Sequence, residues 1–170
     1  MGVSRGAVES ALAATSALAL LIEGLRRSSD RARTTFERTV GPLLRPREST
    51  GFTGATWLAL SGLVAVAVLS RSAAIAALWC ATVGDPAATI AGRWIGGGSS
   101  ERLEGDGKTI AGSIGCLTAS FAGVWMIAGY APPIAFVVAA AAAIAEAWPV
   151  QIDDNIRVTA AAGAIAQLLA

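Results

Sequence analysis

Asp85 is the residue in this sequence that most needs a reason to be where it is. It stands inside an apolar stretch about seven residues from the stretch's polar end, ~10 Å deep at ~1.5 Å per helical residue. A carboxylate at such depth in a bilayer costs on the order of 2.5–3.5 kcal/mol unless it is paired or hydrated. Pro86 follows it and removes one helical hydrogen bond, which would leave the Thr82 carbonyl free. Thr82, Asp85, Thr89 and Gly92 would then form one small, polar stripe on an otherwise oily helix. Glu146 lies at comparable depth in a later apolar stretch. Two buried carboxylates at matching depth predict a shared cation, a shared water cavity or an ion path. A basic partner from a neighbouring helix would satisfy either one equally well.

Asp153-Asp154-Asn155 opens the last apolar stretch. One Asp there would serve as a helix N-cap. Two acids and an Asn offer more oxygen ligands than a cap uses, and such a cluster suits a hard cation such as magnesium. Asp85, Asp153 and Asp154 are therefore the candidate metal ligands. Between the acidic groups runs a glycine-rich loop, Gly92-Arg93-Trp94-Ile95-Gly96-Gly97-Gly98, followed by Lys108-Thr109-Ile110-Ala111-Gly112-Ser113. Glycines let backbone N–H groups approach phosphate, Lys108 supplies a point charge, and a helix starting at Thr109 points its positive end at the loop. Glycines in a flexible connection would look the same. The pattern is not a Walker A motif, because the lysine is too far from the glycines and no strand precedes it.

Histidine is absent from the chain. Ser-His-Asp triads, imidazole metal sites and histidine bases are thereby excluded. Any chemistry runs on carboxylates, Lys, Arg and hydroxyls. The two cysteines, Cys80 and Cys116, both fall in apolar stretches and read as small buried residues rather than a disulfide.

The elements that must position these groups are membrane helices. Of 170 residues, 54% are hydrophobic and the mean hydropathy is +0.60, above the ~45–50% apolar usage of soluble domains. A spanning helix needs ~20 mostly apolar residues, and such stretches occur near 6–25, 52–70, 73–92, 109–129, 133–150 and 156–170. Pro132-Pro133 marks the turn between the fourth and fifth. The first stretch reads as a retained span rather than a signal peptide, because Glu9 lies early in it and a strongly basic segment follows. The expected architecture is an all-α, single-domain bundle of about six transmembrane spans.

Basic residues set its orientation. Arg26, Arg27, Arg31, Arg33, Arg38, Arg45 and Arg47 follow the first span, Arg93, Arg102 and Lys108 the third, and Arg157 the fifth. The other side receives Arg5 and Arg71. Positive-inside bias puts the loops near 26–51, 93–108 and 151–155 in the cytoplasm and both termini outside. The arginines of the first loop serve topology and attraction to anionic headgroups at about 1 kcal/mol each. Arg45 and Arg47, beside Glu48 and the start of a span, are the ones placed to reach a phosphate. The net charge of +1 gives no reason to expect a nucleic-acid partner.

The order and spacing of Gly84-Asp85-Pro86-Ala87-Ala88, Gly92-Arg93, Gly96, Lys108-Thr109, Gly112-Ser113, Glu146 and Asp153-Asp154-Asn155 resemble the polyprenol kinase family. That family includes dolichol kinase, phytol kinase and CTP-dependent diacylglycerol kinases. The resemblance runs from about Glu23 to the end, with Arg45, Glu48 and Gly54-Ala55-Thr56-Trp57 similar to bacterial members. Ala111 stands where a Glu is common in the family, and Gly98 where a Lys often follows the glycines.

The resemblance implies a kinase in the cell membrane, facing the cytoplasm, that moves the γ-phosphate of CTP to a lipid hydroxyl with Mg2+. It implies catalytic roles for Asp85, Lys108, Asp154 and Glu146. Nucleotide contacts would come from Gly92, Arg93, Gly96, Lys108, Thr109, Gly112, Ser113 and Asn155, and substrate contacts from Arg45 and Glu48. The implied partners are a lipid alcohol (polyprenol, phytol-like or diacylglycerol), a nucleoside triphosphate and the bilayer, with self-association left open. A weaker likeness links the Gly-Arg, Gly and Lys-Thr elements to phosphatidate cytidylyltransferases. A small ion-coupled transporter using Asp85 and Glu146 as a relay is the rival of another class, and a nonenzymatic membrane subunit is a third.

Overall fold

The structure, a computed structural model, describes residues 4–44, 48, 51–95 and 108–170. It is all-helical among those residues. Ser4 caps α1 (Arg5–Ser28), accepting a hydrogen bond from the Ala7 N–H at 3.3 Å. Ser29 then ends one helix and begins the next. Its N–H closes on Leu25 O, and its hydroxyl accepts from Ala32 N to start α2 (Asp30–Val40). The expected loop after the first span is thus largely helical. Its polar residues pair locally, as Arg33 does with Asp30 at 3.0 Å, so the backbone can close its own hydrogen bonds without burying a face.

Thr53 caps α3 (Gly54–Val68). A single helix runs from Arg71 to Trp94 as α4 (Arg71–Trp79), a π turn (Cys80–Gly84) and α5 (Asp85–Trp94). The Asp85 N–H bonds Cys80 O, one residue further back than in an α-helix. The widening falls just ahead of Pro86, whose ring has no N–H to give and crowds the carbonyl four residues earlier. This turn breaks the expected Thr82–Asp85–Thr89–Gly92 stripe, since an added residue per turn rotates Thr82 off the face of Asp85. Thr82 is exposed and its hydroxyl bonds back to Leu78 O at 2.7 Å, while Asp85 is buried.

Thr109 caps α6 (Ile110–Met126), α7 spans Pro132–Ala147, and α8 spans Asp154–Leu168. Pro132 and Pro133 belong to the first turn of α7, where a missing N–H costs nothing. The reversal itself is made at Gly129, whose φ of 82° favours glycine. Two helices, Arg5–Ser28 and Arg71–Trp94, are long and apolar enough to cross a membrane. Gly54–Val68, Ile110–Met126 and Pro132–Ala147 are shorter apolar helices.

Successive helices run up and down, and their seams are built from small residues. The core gathers Ala76, Cys80, Val124, Ala135, Val138, Ala142, Val158 and Ala162 from α4, the π turn, α6, α7 and α8. Gly123 lets the Trp79 ring lie flat against α6, where its Nε1 donates to Ala119 O at 2.9 Å. At the end remote from Asp85, Tyr130 donates to Ala166 O at 2.9 Å and Gln167 accepts from Ser70 N at 2.6 Å. Burial pushes the Tyr130 phenol above its ordinary pKa.

Candidate functional site

The alternation of helix direction brings the C-terminal ends of α1, α5 and α7 together with the N-terminal ends of α3, α6 and α8. Polar residues separated by long stretches of sequence meet at this end. Lys108, just before α6, is at the centre. Its Nζ pairs with Glu146 Oε1 at the end of α7 and lies 3.8 Å from Asp154 Oδ2 at the start of α8. The Glu146 and Asp154 side chains are 5% and 3% exposed, and that of Lys108 is 23% exposed. Water is therefore largely excluded from the two carboxylates, while the lysine keeps one side open.

Asp85, on α5, is also buried. Ala88 of α5, Cys116 of α6 and Ala143 of α7 pack in one cluster. Asp85 lies one turn before Ala88, Glu146 one turn after Ala143, and both helices run toward the polar end. The two carboxylates therefore sit on either side of the Ala88–Cys116–Ala143 contact, with Asp85 the deeper, rather than at matching depth.

Gly92 and Gly112, the two described glycines of the expected phosphate cradle, serve helix packing. They form the close crossing of α5 and α6. A Cβ on Gly92 would lie 2.8 Å from Thr109 Oγ1, and one on Gly112 would lie 3.0 Å from Ala88 O. The Gly112 N–H is taken by the Thr109 cap at 3.0 Å, and the Ser113 N–H bonds Thr109 O at 3.0 Å. Thr109, Gly112 and Ser113 are thus a capped helix start, and their contribution to an anion is the positive end of α6 rather than those amides. Arg93 is exposed in the last turn of α5, where a cation complements the helix dipole. Gly96 and Arg45 lie outside the described residues.

The acidic triplet divides. Asp154 faces Lys108. Asp153 caps α8, its Oδ1 accepting from Asn155 N at 3.0 Å and Asn155 Nδ2 at 2.9 Å. Asn155 Nδ2 also donates to Gly54 O at 3.2 Å, strapping α8 to α3. The geometry accounts for Asp153 as a cap and Asn155 as a strap, where the sequence pointed to a metal ligand and a nucleotide contact. An acid at the residue before a helix has its N–H groups at hand, and that short-range bond wins. Glu48 is buried on the same strap and accepts from Gly54 N at 3.2 Å.

Sequence reasoning missed the pair that holds this corner in place. Glu23 and Arg26, one turn apart on α1, are 2% and 5% exposed and joined at 2.8 Å. Glu23 Oε1 accepts from Thr53 N at 2.8 Å and from the Thr56 hydroxyl at 3.3 Å. Arg26 donates to the carbonyls of Glu48 and Gly51 and lies over the Phe36 ring at 5.0 Å. The signal available was a carboxylate in the last apolar turn of a span with an arginine three residues on. Arg157 likewise is a helix cap, donating to Ala145 O and Trp148 O at the end of α7.

Among the described residues no group of three or more His, Cys, Asp or Glu side chains converges as a cage for a metal ion. Magnesium bound with a nucleotide needs less, since one or two carboxylates plus phosphate oxygens complete its shell. Asp154, buried 3.8 Å from Lys108 Nζ, is the carboxylate placed for that lesser requirement. No family model, curated protein or solved structure matches this chain.

Proposed function

We propose that this chain is a polytopic membrane lipid kinase that transfers the γ-phosphate of a nucleoside triphosphate, CTP in the first instance, to a lipid hydroxyl. The observation that carries the reading is the Lys108 bridge between two buried carboxylates, Glu146 and Asp154, with Asp85 buried deeper in the same apolar bundle. In this reading six segments span the bilayer, both termini lie outside, and the ion cluster faces the cytoplasm. Supporting this, large apolar side chains such as Leu21, Val64, Ile114 and Phe136 are exposed along the helices. Exposed Trp94 and Trp148 stand at the polar end and Trp125 toward the other, as residues of an interfacial belt would.

The chemistry follows from charge. Phosphoryl transfer asks a protein mainly to position reactants and to neutralise the charge spread over the transferring group. The lipid oxygen attacks the γ-phosphorus, the bond to the β–γ bridging oxygen breaks, and the nucleoside diphosphate leaves. Asp85 or Glu146 accepts the hydroxyl proton. Lys108 leaves its carboxylates for phosphate oxygens, with Arg93 at the mouth. Asp85 and Asp154 are the groups that would hold magnesium, which offsets the triphosphate's charge when bound.

Purified protein in detergent, supplied with CTP labelled at either the α- or the γ-phosphorus and a panel of lipid alcohols, tests the proposal. Transfer of γ-label to polyprenol, phytol or diacylglycerol, lost in Asp85→Asn and Lys108→Ala, is the expected result. Transfer of α-label would make the protein a cytidylyltransferase. Gradient-driven flux without a nucleotide requirement would make it a transporter, a reading the lysine pairing of Glu146 disfavours because it ties up one half of the relay.

A further inference from the structure

A groove of about 320 Å³ opens between α1, α3 and α4 at the end of the bundle remote from Asp85. Val8, Val66, Leu69, Ala74, Ile75 and Leu78 wall it, and Arg5 and Arg71 stand at its rim. The two arginines are not equivalent. Arg5 is committed, pairing with Glu9 at 2.9 Å and donating to the carbonyls of Val66 and Ala67 at the end of α3. Arg71 is exposed and makes no hydrogen bond, ion pair or ring contact with any described residue.

The position of Arg71 is also electrostatically unfavourable for the helix it begins. It is the first residue of α4, where the positive end of the helix dipole repels a cation. An anion at the rim would answer both the guanidinium and the helix end, and the apolar slot beside it would take a hydrocarbon chain. One molecule that joins those two parts is an anionic phospholipid. We propose that this groove binds an anionic phospholipid of the leaflet remote from Asp85, its phosphate on Arg71 and an acyl chain along Val8, Ile75 and Leu78. The site is separate from the ion cluster; it rests on the membrane-spanning reading of the bundle and not on the kinase chemistry.

The test is retention of lipid by the full chain in mild detergent, read by native mass spectrometry. Phosphatidylglycerol and phosphatidylcholine with matched acyl chains are offered in equal amounts. The parent protein is expected to keep one phosphatidylglycerol with about tenfold preference, because the choline cation of phosphatidylcholine is repelled by Arg71 and the positive end of α4 and the glycerol headgroup is not. Arg71→Gln should erase the preference, and Val8→Trp, which fills the slot from a partly exposed position on α1, should reduce retention of both lipids. Glu37→Gln, an exposed change on α2, should alter neither. Equal retention of the two lipids by the parent overturns the proposal. So does a preference that survives Arg71→Gln, or one that Glu37→Gln removes as well.

Discussion

Replacing Lys108 by Met keeps the length of the side chain and removes its charge, leaving Glu146 and Asp154 facing each other across a site that water barely enters. Removing one partner of a buried ion pair typically costs about 3–5 kcal/mol. The lysine is about one-quarter exposed, so water can partly replace it and the lower figure, ~3 kcal/mol, is expected. In a chain of this size ~3 kcal/mol corresponds to a fall in Tm of roughly 6–12 °C. Glu146→Gln alone leaves Lys108 paired with Asp154 and should cost less, about 1–2 kcal/mol. The informative variant is the double one. With both charges gone the Met and Gln can pack, and only Asp154 remains without its lysine. The double variant should therefore be more stable than the sum of the single losses implies, by about 1–2 kcal/mol of coupling. Tryptophan fluorescence during thermal unfolding in one detergent measures all four proteins. Strict additivity would refute the direct Lys108–Glu146 contact. Kinase activity, if the proposed function holds, must stay absent in the double variant even where stability returns, because a packed pair cannot hold phosphate.

Gly123→Ala would place a methyl group within 2.0 Å of the Trp79 indole, so the ring must tilt and release Ala119 O. A loss of about 1–3 kcal/mol and a shifted tryptophan emission are expected. Glu23→Gln strips the buried Arg26 of its counter-ion and weakens the hold on Thr53, Glu48 and Gly51. Limited proteolysis should then cut the segment before α3 sooner than in the parent protein, and an unchanged digestion pattern would contradict the clamp. Tyr130→Phe removes the bond to Ala166 O at a cost of about 1 kcal/mol. Because burial raises the Tyr130 pKa, its contribution is whole below the ordinary phenol value of about 10 and is lost as pH rises through the higher folded value. The Phe variant should lack that alkaline step in a Tm-against-pH series.

Much of this molecule is readable from composition and spacing, because apolar transfer from water and helix geometry are both local constraints. Runs of apolar residues mark α1, α3, α4–α5, α6, α7 and α8 to within a few residues, and Asp85, Glu146 and Asp154 stand out because oil should reject them. Lys108 could be nominated, since a lysine beside Thr109 at a helix start suits an anion. What spacing could not supply was the division of labour among neighbours. Asp153 and Asp154 are adjacent in the chain, yet the first closes the N-terminus of α8 and the second faces Lys108. Only the packing of α8 against α3 and α7 separates them.

The same holds for the glycines and for the basic segment. Gly92 and Gly112 read as a phosphate cradle in one dimension and are a helix crossing in three, since close approach of two backbones demands glycine as surely as an anion does. Arg26 reads as one topology charge among seven and is the buried tie between α1 and the segment before α3. The π turn ahead of Pro86 rotates Thr82 away from Asp85 by adding one residue to a helical repeat. Sequence by itself determined the apolar helices and marked Asp85, Glu146 and Asp154 as charges drawn out of water, because those depend on local pattern and on transfer from water, but it marked neither α2 nor the buried Glu23–Arg26 pair. Which buried charge meets which was decided by the up-and-down packing of the bundle, which brings residues 38 positions apart in the chain to a single ion pair.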